Sequence, residues 1–117
     1  MNKVLPIAAI LEYATGLALI FVPSLVSEAL IDQQVAGIAL VIARVTGIAL
    51  IGLAAACWPG PPVLGMLIYG VGVAIYLALI GLLGFAGWAL WPAVAGHVVL
   101  SIALARVWLA GRSQPPR

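Results

Sequence analysis

Four long apolar stretches, separated by turn signals, constrain the fold of this chain more than any other feature. Each reaches the roughly 20 residues that a helix needs to cross about 30 Å of hydrocarbon. The sequence is 66% hydrophobic and 7% charged, which excludes a soluble domain with a polar surface. The predicted fold is all-α, an integral membrane four-helix bundle with spans at 4–22, 35–58, 63–83 and 88–110.

The connections between the spans differ in character. The first, PSLVSEALIDQQ, begins with Pro23 and predicts a short interfacial helix. The second, WPGPP, cannot continue a helix because proline has no backbone N–H, and the third, GFAG, predicts a tight turn. We expect one transmembrane domain over 1–111 and a polar, proline-rich, disordered tail over 112–117.

The distribution of basic residues predicts the orientation in the membrane. A chain with four spans has both ends on one face, and that face carries Lys3, Arg106, Arg112 and Arg117. The opposite face carries Glu28 and Asp32 and no lysine or arginine. By the positive-inside rule we expect both termini in the cytoplasm, with the protein in the bacterial plasma (inner) membrane.

Five polar residues inside the spans form the predicted substrate- or proton-binding site. A lone arginine or carboxylate at a helix centre costs about 2.5 to 3.5 kcal/mol, so such groups usually pair. Counted by helical rise, Glu12, His97 and Arg44 lie about 14, 16 and 21 Å from the cytoplasmic boundary. We expect Glu12 and Arg44 to form an ion pair, with His97, Tyr69 or Tyr76 satisfying the remaining donors and acceptors.

Small residues spaced four apart accompany these polar groups. Glu12 lies between Ala8 and Gly16, and His97 lies in a similar row on the fourth span. Such rows allow helix backbones to approach closely, so both residues should face neighbouring helices. The rows also predict oligomerisation, as a homodimer or with another membrane subunit.

One short string occurs twice in the chain. ATGLALI at 14–20 recurs as VTGIALI at 45–51, in two helices that run in opposite directions. Inverted repeats are frequent in transporters. Chance, shared packing chemistry and descent from one helical hairpin are all compatible with so short a match.

The predicted site supports two interpretations. In the first, the chain is a proton-linked transporter or a small-ligand-binding membrane protein, with Glu12 as the protonatable group and His97 as a second proton carrier. In the second, it is a non-catalytic structural or accessory subunit of a larger membrane complex, and the same residues fix helix packing. The expected partners are the lipid bilayer, another membrane chain and a small-molecule ligand, and nothing suggests nucleic acid.

The sequence predicts no enzyme, no catalytic residue, no cofactor and no metal site. It has no P-loop, no Ser, His and Asp constellation and no metal-ligand spacing. The single cysteine, Cys57, excludes an internal disulfide and a Cys-x-x-Cys motif. His97 is the only histidine, which leaves a single-histidine heme or quinone site as a further alternative.

The chain resembles the small multidrug resistance transporters in length, in its four predicted helices and in a carboxylate midway along the first. YGVGVAIY and WPAVAG are similar to the glycine-rich third helix and the proline-led fourth helix of that family. The resemblance implies that Glu12 binds protons or a cationic substrate and is shared between two subunits of a dimer. The sequence departs from the family pattern at Ile68 and Tyr69, where a tryptophan is usual, and at Arg44. We therefore do not assign the chain to this family.

Overall fold

The computed structural model describes residues 3–113, and all of its regular secondary structure in that range is helical. The helices are α1 Val4–Phe21, α2 Pro23–Ile31, α3 Ile38–Cys57, α4 Pro62–Leu82 and α5 Leu90–Arg112. Four of them, α1, α3, α4 and α5, are long and apolar enough to cross a membrane. The prediction of an all-α fold with four spanning helices is confirmed, and the chain is an integral membrane protein.

Proline and glycine set several of the helix ends. α2 and α4 begin at Pro23 and Pro62, where the fixed φ of proline suits the first helical turn. Gly37 has a φ of 60° and directly precedes α3. A helix cannot contain this backbone conformation, so the second span begins at Ile38 and not at Val35 as expected.

Two other sequence predictions concern the segments outside the four spans. The short helix expected after the first span is confirmed as α2. The polar tail was expected from residue 112, but α5 continues through Arg112. Residues 114–117 of that tail lie outside the described residues.

The four spanning helices lie side by side in one layer. α3 contacts α1 and α4, and α5 contacts α4, whereas no other two of the four meet within residues 3–113. The molecule measures 52 × 38 × 15 Å, and its smallest dimension is close to the diameter of a single helix with its side chains. Both faces of this layer are therefore open over most of their area.

Neighbouring helices in the layer are antiparallel. The Tyr13 hydroxyl on α1 reaches the Trp58 carbonyl that follows α3, and Gly81 near the end of α4 lies against Trp91 near the start of α5. Residues 3 and 113 consequently lie at the same end of the layer. We call this the terminal end, and the opposite one, which carries α2, the α2 end.

Glycines set the distance between adjacent helices. A Cβ atom on Gly16 would lie 2.7 Å from the Gly47 carbonyl oxygen, and one on Gly47 would lie 2.6 Å from the Gly16 carbonyl oxygen. Between α3 and α4, a Cβ atom on Gly52 would lie 2.9 Å from the carbonyl oxygen of Gly65. Backbones can approach this closely only where side chains are missing.

The contact between α1 and α3 joins the two copies of the repeated string. A Cβ atom on Gly16 would lie 2.7 Å from Ile51, and one on Gly47 would lie 2.9 Å from Ile20. These glycines occupy the same position in the two copies, and so do these isoleucines. The two copies thus pack reciprocally against each other about a local twofold axis.

Candidate functional site

Arg44 does not pair with Glu12. The Arg44 Nε–H group donates a hydrogen bond of 3.2 Å to the Ile20 carbonyl oxygen near the end of α1. Ile20 lies about 12 Å farther along α1 than Glu12, at the helical rise per residue. Within residues 3–113 the two side chains form no ion pair, so the predicted Glu12–Arg44 pair is wrong.

The register between α1 and α3 explains this error. The contact of Gly16 with Gly47 places Arg44 one turn closer to the α2 end than that contact. The predicted depths of Glu12 and Arg44 are counted from residues 3 and 58, which are both expected at the cytoplasmic boundary. Instead, the Tyr13 hydroxyl donates to the Trp58 carbonyl oxygen at 3.0 Å, so α3 is shifted toward the α2 end relative to α1 and carries Arg44 away from Glu12.

A cavity of about 540 Å³ lies between α3 and α4 at the α2 end. Arg44 and Tyr76 both line it. A Cβ atom on Gly72 would lie 2.8 Å from Ile48, which fixes the local register of the two helices. Because Arg44 and Tyr76 each lie one turn beyond that contact, their side chains enter the cavity at the same level.

The polar groups of this cavity have unused hydrogen-bonding capacity. A guanidinium group has five N–H donors. Of the five donors of Arg44, only the Nε–H group has a partner within residues 3–113. The Tyr76 hydroxyl is buried and has no hydrogen-bond partner in the described part of the chain. A buried polar group is normally satisfied, so the Tyr76 hydroxyl is suited to a ligand with a polar end, and the remaining N–H donors of Arg44 can bind the same end.

The remaining walls of the cavity are apolar. They comprise Leu40 and Val41 on α3, Leu77 and Ile80 on α4, and Gly37, Ile38, Phe85 and Leu90 at or near the helix ends. Arg44 lies about 9 Å along α3 from its first residue. The cavity therefore extends from the loops at the α2 end to a polar inner end formed by Arg44 and Tyr76.

His97 and Tyr69 form a second, separate group between α4 and α5. Their ring centroids are 6.0 Å apart and the ring planes are tilted by 49°, which is within the usual range for an aromatic pair. His97 Nδ1 lies 2.9 Å from the Ala93 carbonyl oxygen. Since a carbonyl oxygen only accepts, Nδ1 is the protonated nitrogen of this contact. Neither residue lines the Arg44 cavity.

Glu12 stands apart from both groups. It is half-buried beside the α1–α3 contact, between the buried residues Ala9 and Gly16. Its carboxyl group has no hydrogen bond or ion pair with any residue in the range 3–113. The structure therefore brings together Arg44 with Tyr76 and Tyr69 with His97, but it does not bring all five predicted residues into one central layer.

Sequence reasoning missed the apolar walls of the cavity. Leu77, Ile80, Phe85 and Leu90 belong to long runs of similar residues. No pattern distinguishes an apolar residue that faces a cavity from one that faces lipid, because both environments favour the same side chains. Only the register of α3 against α4 reveals them.

Two further hollows are almost entirely apolar. One, of about 450 Å³, lies between α4 and α5 and contains Ser101, whose hydroxyl is buried and has no hydrogen-bond partner among the described residues. The other, of about 330 Å³, lies beside the contact of Gly52 with Gly65.

In the described range, no cluster of His, Cys, Asp or Glu could hold a metal ion.

Comparison of the chain with protein-family models, with curated proteins and with solved structures finds no match. The cavity between α3 and α4 is therefore the feature of this chain that bears most directly on its function.

Proposed function

We propose that this integral membrane protein binds a small lipophilic molecule in the cavity between α3 and α4. The observation that carries the proposal is a cavity of about 540 Å³ with apolar walls and two polar groups, Arg44 and Tyr76, at its inner end. Its volume is in the range of cavities that hold small ligands, and a few convergent polar groups in an apolar pocket are typical of such sites.

The positions of the other ionisable residues favour ligand binding over proton-linked transport. Glu12 is separated from the level of Arg44 by about 12 Å along the helix axis. His97 contacts Tyr69, which lies about 10 Å from Tyr76 along α4. A carboxyl group that exchanges a proton for a ligand should contact that ligand or reach it through one water molecule, and Glu12 lacks this proximity.

The binding test uses the purified protein in phosphatidylcholine nanodiscs and three probes with the same chain: octanoate, octanol and octylammonium. Calorimetric titration, corrected with empty nanodiscs, should detect saturable binding of at least one probe. Leu77→Trp fills the cavity and should weaken that binding at least about tenfold. Leu79→Trp is the matched control, because Leu79 is 53% exposed on the same helix. The proposal fails if no probe binds, or if both variants bind as the native protein does.

The open layer favours one other function, that of an accessory subunit in a larger membrane complex. Within residues 3–113, helices α1 and α5 each contact only one other spanning helix, and the Glu12 carboxyl group has no partner. A neighbouring subunit that packs on α1 could supply a partner for this carboxyl group. In that case none of the three probes should bind, and Glu12→Gln should change the oligomeric state seen by native mass spectrometry.

We also propose that the terminal end faces the cytoplasm of a bacterial inner membrane, as the basic residues suggest. Cys57 is a natural probe, because it is exposed at this end and is the only cysteine. A membrane-impermeant maleimide should label it in inverted vesicles and not in spheroplasts. Ala86→Cys in a Cys57→Ser background should show the opposite pattern, and labelling of Cys57 in spheroplasts would contradict the orientation.

A further inference from the structure

We propose that the ligand of the α3–α4 cavity is a lipophilic anion, whose carboxylate or phosphate group binds Arg44 and Tyr76. This inference rests on the proposed function and specifies the ligand class of the same site. Three observations carry it: within residues 3–113 Arg44 has no counter-charge, the Tyr76 hydroxyl has no hydrogen-bond partner, and both groups lie at the inner end of an otherwise apolar cavity.

The first observation is that Arg44 has no acidic partner within residues 3–113. Ionisable side chains inside membrane spans normally pair with an opposite charge or with backbone carbonyls. The Ile20 carbonyl oxygen takes one hydrogen bond and supplies no net charge. The cavity thus holds a guanidinium with four further N–H donors, a geometry that suits the two oxygens of a carboxylate or phosphate.

The second observation is the buried hydroxyl of Tyr76. A phenol can donate a hydrogen bond to an anionic oxygen at the level where Arg44 binds the same group. A cationic ligand would instead meet the like charge of Arg44 in a medium of low dielectric constant, where repulsion is strong. A neutral alcohol could use Tyr76, but it would leave the guanidinium without a counter-charge.

The third observation is the depth of the polar inner end, about 9 Å along α3 from its first residue. The walls between this point and the loops are aliphatic and aromatic side chains, among them Leu77, Ile80 and Phe85. A compact free anion can place its charge at Arg44 and its apolar body along these walls. A phospholipid would have to draw its headgroup below the helix ends, so a free lipophilic anion fits the cavity better than a lipid headgroup.

The experiment compares the affinities of octanoate, octanol and octylammonium for the native protein in phosphatidylcholine nanodiscs at about pH 8, where octanoate is ionised. Because hydrogen bonds to charged groups are worth about 1.5 kcal/mol or more, octanoate should bind at least about tenfold more tightly than octanol. Octylammonium should bind most weakly. Arg44→Gln should bring octanoate and octanol within about twofold of each other, and Tyr76→Phe should reduce their ratio by a smaller factor.

Arg106→Gln is the matched control, because Arg106 is exposed on α5, and it should leave the ratio of affinities unchanged. Far-UV circular dichroism and gel filtration establish that each variant is folded. Equal binding of octanoate and octanol to the native protein would overturn the anion inference and leave the proposed binding function intact. Binding of none of the three probes would contradict both.

A parallel titration distinguishes the two sources of an anionic group. Replacing about a third of the phosphatidylcholine by phosphatidylglycerol should leave the octanoate affinity within about twofold, after correction for the surface charge of the disc. A larger loss of octanoate affinity in the native protein would contradict the free anion as the ligand and would assign the same anion site to a lipid headgroup.

Discussion

At the terminal end, helices α3 and α4 meet backbone to backbone, whereas at the α2 end a cavity of about 540 Å³ separates them. The difference arises from the side chains that face the contact. Gly52 and Gly65 allow the two backbones to touch at one end, while the larger side chains of Arg44 and Tyr76 line the cavity at the other. A tight contact of this kind fixes the register, and the register determines which side chains line the cavity.

The largest expected effect on stability comes from forcing α3 and α4 apart at the terminal end. In Gly65→Ala the new Cβ atom would collide with the Gly52 carbonyl and would lie 2.7 Å from the Ala56 backbone nitrogen. Overpacking of this kind costs about 1–3 kcal/mol, which should appear as a lower melting temperature in detergent. Gly96→Ala is the matched control, since nothing lies within 4 Å of a Cβ atom at Gly96. Equal melting of the two variants would contradict the tight contact.

The second prediction concerns the reciprocal contact of α1 with α3. Gly16→Ala and Gly47→Ala should each destabilise the protein by about 1–3 kcal/mol, because each Cβ atom would meet the backbone of the partner helix. Once one alanine has separated the helices, the second should destabilise the protein less. The double variant should therefore be more stable, by at least about 0.5 kcal/mol, than the sum of the two single destabilisations predicts. Additive effects in reversible unfolding titrations would show that the two glycines do not share one contact.

The third prediction concerns a larger side chain in the cavity wall at the α2 end. Val41→Leu adds one methylene group to the wall of the cavity and should change stability by less than about 1 kcal/mol, because the cavity accommodates it. Gly52→Ala adds a single methyl group at the terminal end and should lower the stability by more than Val41→Leu does. A melting temperature for Val41→Leu below that of Gly52→Ala would reverse the proposed contrast between the two ends.

The smallest expected effect is the energetic coupling between Glu12 and Arg44, which the sequence suggested as partners. Glu12→Gln and Arg44→Gln should have additive effects on stability to within about 0.5 kcal/mol, as is usual for distant sites. A double-mutant cycle in detergent measures this coupling. A coupling energy well above that value would restore the Glu12–Arg44 ion pair and contradict the register described above.

The sequence predicted the membrane class, the four spans and the short helix α2, because chain hydropathy and proline placement determine these features locally. It also predicted Arg44 and Tyr76 as binding residues, since polar groups inside spans are rare, and this stays a prediction. The sequence did not predict which groups these two residues contact. Which helices are neighbours, and how far one slides along the next, depends on contacts such as Gly16 with Gly47, and no single helix encodes that register.

The most direct test of the central claim, that Arg44 is a ligand-binding group at the inner end of the cavity, is the NMR signal of its side-chain Nε–H group. The protein would be labelled with ¹⁵N in nanodiscs, and the signal would be assigned by its loss in Arg44→Gln. Addition of octanoate should shift this signal in a saturable manner and leave that of Arg106 in place. A saturable shift at Arg106 with none at Arg44, or no shift at either, would contradict the account.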